Sequence, residues 1–221
     1  MQGGRGILGV AVALAAAPSA ASGATLAVDQ PCYLNLPGGN EPVVVRGGGF
    51  VAPPGGLIGL TVDGTTVGTG RIDGTGALSA SFPAPSVLTG KPKARLVTLS
   101  TSDPNPANAA SVAFGIATLA VKPTPSHGNP RRKVRYTATG FKTGGHLYGH
   151  YLFGGRLRGT HDFGPLSGPC GARRTRARLL PVRPARDGVW TVQFDTVRTF
   201  TPNPPLGFRA RLTITTFPRP R

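Results

Sequence analysis

Val43-Val44-Val45-Arg46-Gly47-Gly48-Gly49-Phe50 and Val134-Arg135-Tyr136-Thr137-Ala138-Thr139-Gly140-Phe141 are two renderings of one pattern, 91 residues apart. Each sets apolar side chains at alternate positions and closes on Gly-Phe. Alternation with a period of two turns one face of a strand to a core and the other to water. Thr25-Leu26-Ala27-Val28 also recurs identically, as Thr118-Leu119-Ala120-Val121, 93 residues on. Asp63-Gly64 corresponds to Gly154-Gly155 at a spacing of 91. Three matches in one order at nearly one spacing point to a duplicated domain. The chain is expected to divide into a leader over 1–24, a first copy over 25–116 and a second over 117–221.

Short strands broken by turns fill each copy. In the first, Leu57–Val62 and Thr66-Val67 flank Asp63-Gly64, a pair suited to a tight hairpin turn. Ala77–Phe82, Arg95–Ser100 and Ser111–Ile116 follow. The second copy offers Val134–Thr139, Leu147–Phe153, Arg156–Thr160, Arg174–Leu180, Val189–Phe194 and Arg209–Phe217. Gly and Pro clusters separate them, and helix-forming stretches are absent after the leader. About seven short strands in roughly 100 residues predict an immunoglobulin-like β-sandwich. The fold class is therefore all-β: two tandem immunoglobulin-like sandwiches after a cleaved signal peptide. Gly and Pro make up a quarter of the chain, a level at which disorder competes. The alternating apolar runs favour order instead, because they supply faces to bury.

The scheme V-x-[VY]-x-x-x-G-F, followed by a strand and a hairpin, resembles bacterial immunoglobulin-like and IPT/TIG-like modules. Val121-Lys122-Pro123, Gly140-Phe141 and Tyr148–Arg156 (YGHYLFGGR) are similar to segments of secreted two-domain bacterial proteins of undefined role. The first copy departs from the scheme, with Asp29-Gln30 where the second has Lys122-Pro123 and its proline at 31. The resemblance implies a binding, adhesive or spacer role and carries no catalytic residue to this chain.

The start of the chain predicts export. Arg5 precedes the apolar run Ile7–Ala17, and small residues follow through Ala24. That order is a secretory signal peptide, with a core too short to span a bilayer comfortably. A secreted or envelope-associated location follows, with no transmembrane segment in the mature chain. Cys32 and Cys170 make an even count in an exported chain, which suggests a disulfide tying the two copies together.

Charge separates the copies. The formal net charge is +17, yet residues 25–116 balance five cations against five acids. Residues 117–221 set nineteen Lys and Arg against Asp162, Asp187 and Asp195, a net of +16. Strand alternation puts Arg174, Arg176 and Arg178 on one face, and the same device recurs at Arg156 and Arg158, at Arg209 and Arg211, and at Arg131, Lys133 and Arg135. Neighbouring strands would merge these rows into a stripe that gathers polyanions. The partners expected are an anionic cell-wall polymer, an acidic glycan or lipid headgroups, with nucleic acid less favoured. Arg suits them because its fork donates two parallel hydrogen bonds to a phosphate or carboxylate.

All four histidines lie in the second copy. His146 and His150 share a face but stand about 13 Å apart along a strand, too far to ligate one ion. Alternation places His161 opposite Tyr148 and turns Asp162 to the other face. Tyr148 shares the histidine face and is a candidate stacking residue, whereas Tyr151, Phe153 and Trp190 read as core. No catalytic constellation, metal site or cofactor motif is visible. The expectation is a non-enzymatic polyanion-binding protein. The rivals are a passive spacer or adhesin, and an unrecognised hydrolase built from the dispersed acids.

Overall fold

A computed structural model describes residues 23–36, 38–86, 93–142 and 145–216. The signal peptide expected over residues 1–24 therefore falls almost wholly outside the described residues. Nine strands make the first half: β1 (Thr25–Val28), β2 (Cys32–Leu36), β3 (Gly39–Asn40), β4 (Pro42–Gly48), β5 (Leu57–Val62), β6 (Thr65–Ile72), β7 (Leu78–Pro83), β8 (Ala94–Ser102) and β9 (Ser111–Thr118). Eight make the second: β10 (Ala120–Thr124), β11 (His127–Gly128), β12 (Lys133–Thr139), β13 (His146–Phe153), β14 (Arg156–Pro165), β15 (Arg173–Arg178), β16 (Gly188–Asp195) and β17 (Phe208–Ile214). No α-helix occurs among the described residues, and no helix is long and apolar enough to cross a membrane.

Strand order is shared by the two halves. In the second, β10-β12-β15 forms one sheet and β11-β17-β16-β13-β14 the other. In the first, β1-β4-β7 and β2-β9-β8-β5-β6 occupy the same positions. There, however, the end of β6 also pairs with β7 through Arg71–Ser79 and Ile72–Leu78, which joins both layers into one nine-stranded ladder. In each half a short early strand runs parallel to the last one, β2 beside β9 and β11 beside β17. Two layers with this order and a parallel first-to-last pairing are an immunoglobulin-like sandwich.

The alternation quoted above sets the cores. Val43 and Val45 on β4 meet Ile58, Leu60, Leu99 and Ile116 from the facing layer. Val134, Tyr136 and Ala138 on β12 meet Trp190, Val192, Phe194 and Leu212. Trp190 is buried, and its indole N–H donates to Arg186 O at 2.9 Å. The hairpin turns follow their chemistry: Asp63 and Gly64 both take positive φ, as do Gly154 and Gly155.

Cys32 and Cys170 are joined by a disulfide, Cα to Cα 5.2 Å. It fastens the start of β2 to the turn between β14 and β15. A Cβ on Gly115 of β9 would collide with Cys170 Sγ, so only glycine lets the bridge pack there. Leu34 and Ala117 complete a small apolar cluster around it. Beside it, Lys142 Nζ donates to Gln30 Oε1 at 2.7 Å and stands 3.1 Å from Glu41 Oε1. Thr139 Oγ1 donates to Thr118 O at 2.8 Å. The seam between the halves is thus covalent, apolar and polar at once.

Candidate functional site

The outer face of the three-stranded sheet carries six exposed cations. On β12, Lys133 and Arg135 are exposed while Val134 and Tyr136 are buried. On β15, Arg174, Arg176 and Arg178 are exposed, and Thr175 and Ala177 turn inward. Register sets Lys133 opposite Arg178, Arg135 opposite Arg176 and Thr137 opposite Arg174. Lys122 of β10 lies opposite Thr137 and extends the same face. Rows along a strand repeat at about 6.8 Å and neighbouring strands lie about 4.8 Å apart, so these cations form a compact grid.

No acid neutralises it. Asp162 is taken by His146 Nδ1 at 2.7 Å and by Gly164 N at 2.7 Å. Asp187 accepts from Thr216 N at 2.6 Å. Asp195 is buried with Gln193, His150 and Val197 N. Among the described residues no ion pair reaches the grid. Like charges directly opposite destabilise a strand pair, so the fold gains nothing from Lys133 facing Arg178 or Arg135 facing Arg176.

Two concavities border this face. One, of about 620 Å³, lies between the 129–131 turn, the end of β15 and the 180–185 loop, with Arg131, Arg178 and Arg183 among its walls. The other, of about 310 Å³, is lined by Pro125, Arg132, Lys133, Arg135 and Arg176.

The remaining predicted cations are not part of this grid. A single stripe required their strands to be neighbours, and β14 and β17 belong to the opposite sheet. Arg156 sits at the hairpin opposite Phe153. Arg158 falls in a register slip, where Tyr151 pairs with Gly159 and Leu152 with Leu157, so simple alternation fails there. Arg209 is committed to Gln193 Oε1 at 3.2 Å and Asn203 Oδ1 at 2.9 Å, where it braces the loop after β16. Arg211 is exposed opposite Thr191.

The histidine face also differs from the expectation. A second slip, between His146 and Tyr148, pairs Tyr148 with Asp162 and Gly149 with His161. Asp162 therefore shares the face of His146 and bonds to it. Burial raises the Asp162 carboxyl, but the bonds from His146 and Gly164 N outweigh it and hold the group below its ordinary value. His161 stands edge-on to Phe163 at 4.8 Å between ring centroids, and burial pushes its imidazole down. Tyr148 is half-buried and stacked on His146, centroids 6.1 Å apart. His150 is fully buried, bonded to Thr160 Oγ1 at 2.9 Å and Asp195 Oδ1 at 3.2 Å, an arrangement that fixes strands. Among the described residues no three metal-ligating side chains gather.

Sequence reasoning missed the seam residue Lys142 and the larger cleft. The proline-rich run Pro181–Pro184, flanked by Arg178, Arg183 and Arg186, was the available signal for the cleft.

No protein-family model matches the chain, and no curated protein matches it. Three solved structures are similar to it in part. The tetra-tandem repeat in the extending region of a large adhesion protein shares 16% identity over 87% of this chain and 49% of its own, with a TM-score of 0.29. The D00-D0 domain of Intimin shares 12% over 87% and 100%, at 0.40. The fibronectin(III)-like modules of Clostridium thermocellum CbhA share 9% over 86% and 93%, at 0.28. The immunoglobulin-like assignment rests on strand order and register, not on these likenesses.

Proposed function

We propose that this chain is an extracellular, non-enzymatic module that holds a polyanion on the outer face of its β10-β12-β15 sheet. One observation carries the reading. Lys122, Lys133, Arg135, Arg174, Arg176 and Arg178 share a surface on which no acid sits, although the register makes them repel. A bound polyanion removes that repulsion and releases its own counterions. The export signal and the disulfide support an oxidising compartment.

The test is retention of the full chain on a sulfated-polysaccharide resin, read as affinity against salt. Replacing Arg135, Arg174 and Arg176 with Ser leaves the larger cleft intact and removes three cations from the grid. Each lost phosphate or sulfate contact lowers the log–log salt slope by about one, so the triple variant should lose about three. An unchanged slope overturns the proposal. A second reading, a passive spacer, is favoured by the disulfide that ties the tandem sandwiches together. It predicts only non-specific retention, with the same salt slope for both proteins.

A further inference from the structure

We propose that the cleft at the end of the cationic face binds one acidic sugar unit, a saturated ring bearing a carboxylate or phosphate. This rests on the polyanion reading and names the residue at which such a polymer is anchored. The cleft joins two kinds of wall. Arg131, Arg178 and Arg183 bring three guanidinium groups, none with an acidic partner among the described residues. Pro181, Val182 and Pro184 bring a saturated apolar surface over the buried Leu180. Bare phosphate would satisfy the first wall and leave the second unused.

The shape is held before any ligand arrives. Leu179 N donates to Arg132 O at 2.8 Å and Leu180 N to Pro130 O at 3.0 Å, which pins the loop to the turn. Asn129 Oδ1 accepts from Arg131 N at 2.9 Å, and that leaves the Asn129 amide N–H groups as donors to ring hydroxyls. Trp190 holds Arg186 O beyond the rim. Prolines with fixed φ add stiffness, and a stiff site loses less entropy on binding. A volume of about 620 Å³ suits a small organic ligand better than a lone ion.

Other polyanions fit this cleft less well. Single-stranded nucleic acid is gripped by stacking bases on aromatic rings, and none of the described residues that line the cleft is aromatic. A lipid surface calls for exposed large apolar side chains beside the cations, and Leu180 is buried. A sugar ring instead takes van der Waals contact from the aliphatic wall, hydrogen bonds from Asn129 and the Thr216 hydroxyl, and a bidentate clasp on its oxyanion.

The experiment is calorimetric titration of the full oxidised chain with a hexuronate trisaccharide, a sugar monophosphate, the neutral trisaccharide of the same ring, and inorganic phosphate. At least one acidic sugar should bind, and the neutral sugar should not. Inorganic phosphate should bind at least about tenfold more weakly than that acidic sugar. Arg131→Ser with Arg183→Ser should weaken the acidic sugar at least about tenfold with unchanged thermal unfolding, since both side chains are exposed. The grid variant at Arg135, Arg174 and Arg176 should leave this short ligand nearly unaffected while losing long polymers. Equal loss in both variants, or equal affinity for phosphate and acidic sugar, overturns the cleft proposal. Retention of long polymers with no binding of either acidic sugar overturns the cleft alone. Loss of all polyanion binding in the unaltered protein at low salt overturns the face as well.

Discussion

Pulled between residues 25 and 216, the oxidised protein should extend far less than the reduced one. The disulfide spans 138 residues of sequence, and an extended residue covers at most about 3.6 Å, so the bond withholds about 500 Å of contour length. Force entering at residue 25 passes through β1, crosses from Cys32 to Cys170 and leaves through β15, β16 and β17. In the first half only β1 lies outside the closed loop. Its Leu26 and Val28 are only half-buried, and the residues Tyr33 to Ile116 that form the core are shielded. In the second half the exposed segment includes Trp190, Val192, Phe194, Leu212 and Ile214, a large part of the core. Single-molecule force spectroscopy should therefore record one major release in the oxidised protein, about 160 Å for Cys170 to Thr216. With reductant, or with Cys32→Ser and Cys170→Ser, a second release should appear and the total should grow by about 500 Å. Equal contour lengths in the two redox states would refute the reasoning. So would a first-half unfolding event in the oxidised chain.

Three further outcomes follow from single side chains. Leu60→Ala should cost about 2–5 kcal/mol in the first sandwich and lower its circular-dichroism transition, while the emission of Trp190, the chain's one Trp, keeps its midpoint; coupled shifts would show the halves unfolding as one. The buried Tyr151 hydroxyl faces that of Tyr136, which donates to Leu179 O and keeps lone pairs to accept, so Tyr151→Phe should change urea unfolding by no more than about 1 kcal/mol and a larger loss would reveal a further partner. Burial raises the Asp29 carboxyl, but hydrogen bonds from Tyr33 and Val44 N outweigh it, and Asp73 is lowered by Thr75 and Ala77 N, so both sit below the ordinary 3.8. Their stabilisation is present above that value and lost as pH falls through the depressed one; thermal unfolding between about pH 5 and 1 should show it, less steeply in Asp29→Asn, and an identical profile would exclude Asp29.

What the sequence disclosed was whatever alternation encodes. β12 and β15 carry their pattern in unbroken register, so the exposed row Arg174, Arg176, Arg178 and the buried Val134 and Tyr136 were readable residue by residue. β14 has the same composition but two register slips against β13, and a slip leaves no trace in side-chain types. Counting by twos therefore put Asp162 on the wrong face and His161 opposite the wrong residue. The short parallel strands β2 and β11 escaped because β2 is an apolar run without alternation, β11 is only two residues long, and both pair with the last strand of their half. Of the cleft the sequence shows only the run Pro181–Pro184, since Asn129, Arg178, Arg183 and Thr216 meet only when separate turns converge.

The charge difference between two copies of one fold is an excess of cations, not a shortage of acids. Every one of the eight acidic side chains has a structural bond. Asp29 holds Tyr33, Glu41 holds Leu34 N and Lys142, and Asp63 holds Arg95 and Thr98 N. Asp73 and Asp103 close turns at Thr75 and Asn105, and Asp162, Asp187 and Asp195 are engaged as described. The acids are thus placed where the fold uses them. Among the described residues most cations of the second half have no such use: Arg209, Lys142 and Arg173, whose Nε donates to Phe163 O, are the ones with side-chain bonds. A composition that merely favoured Arg would load both copies, yet the first carries five cations and the second nineteen. Eight of those nineteen, Lys122, Arg131, Lys133, Arg135, Arg174, Arg176, Arg178 and Arg183, stand on one sheet face and around one cleft, in a register that sets two like-charged pairs opposite each other. An arrangement that the fold does not need and electrostatics oppose is the ground on which the polyanion proposal rests.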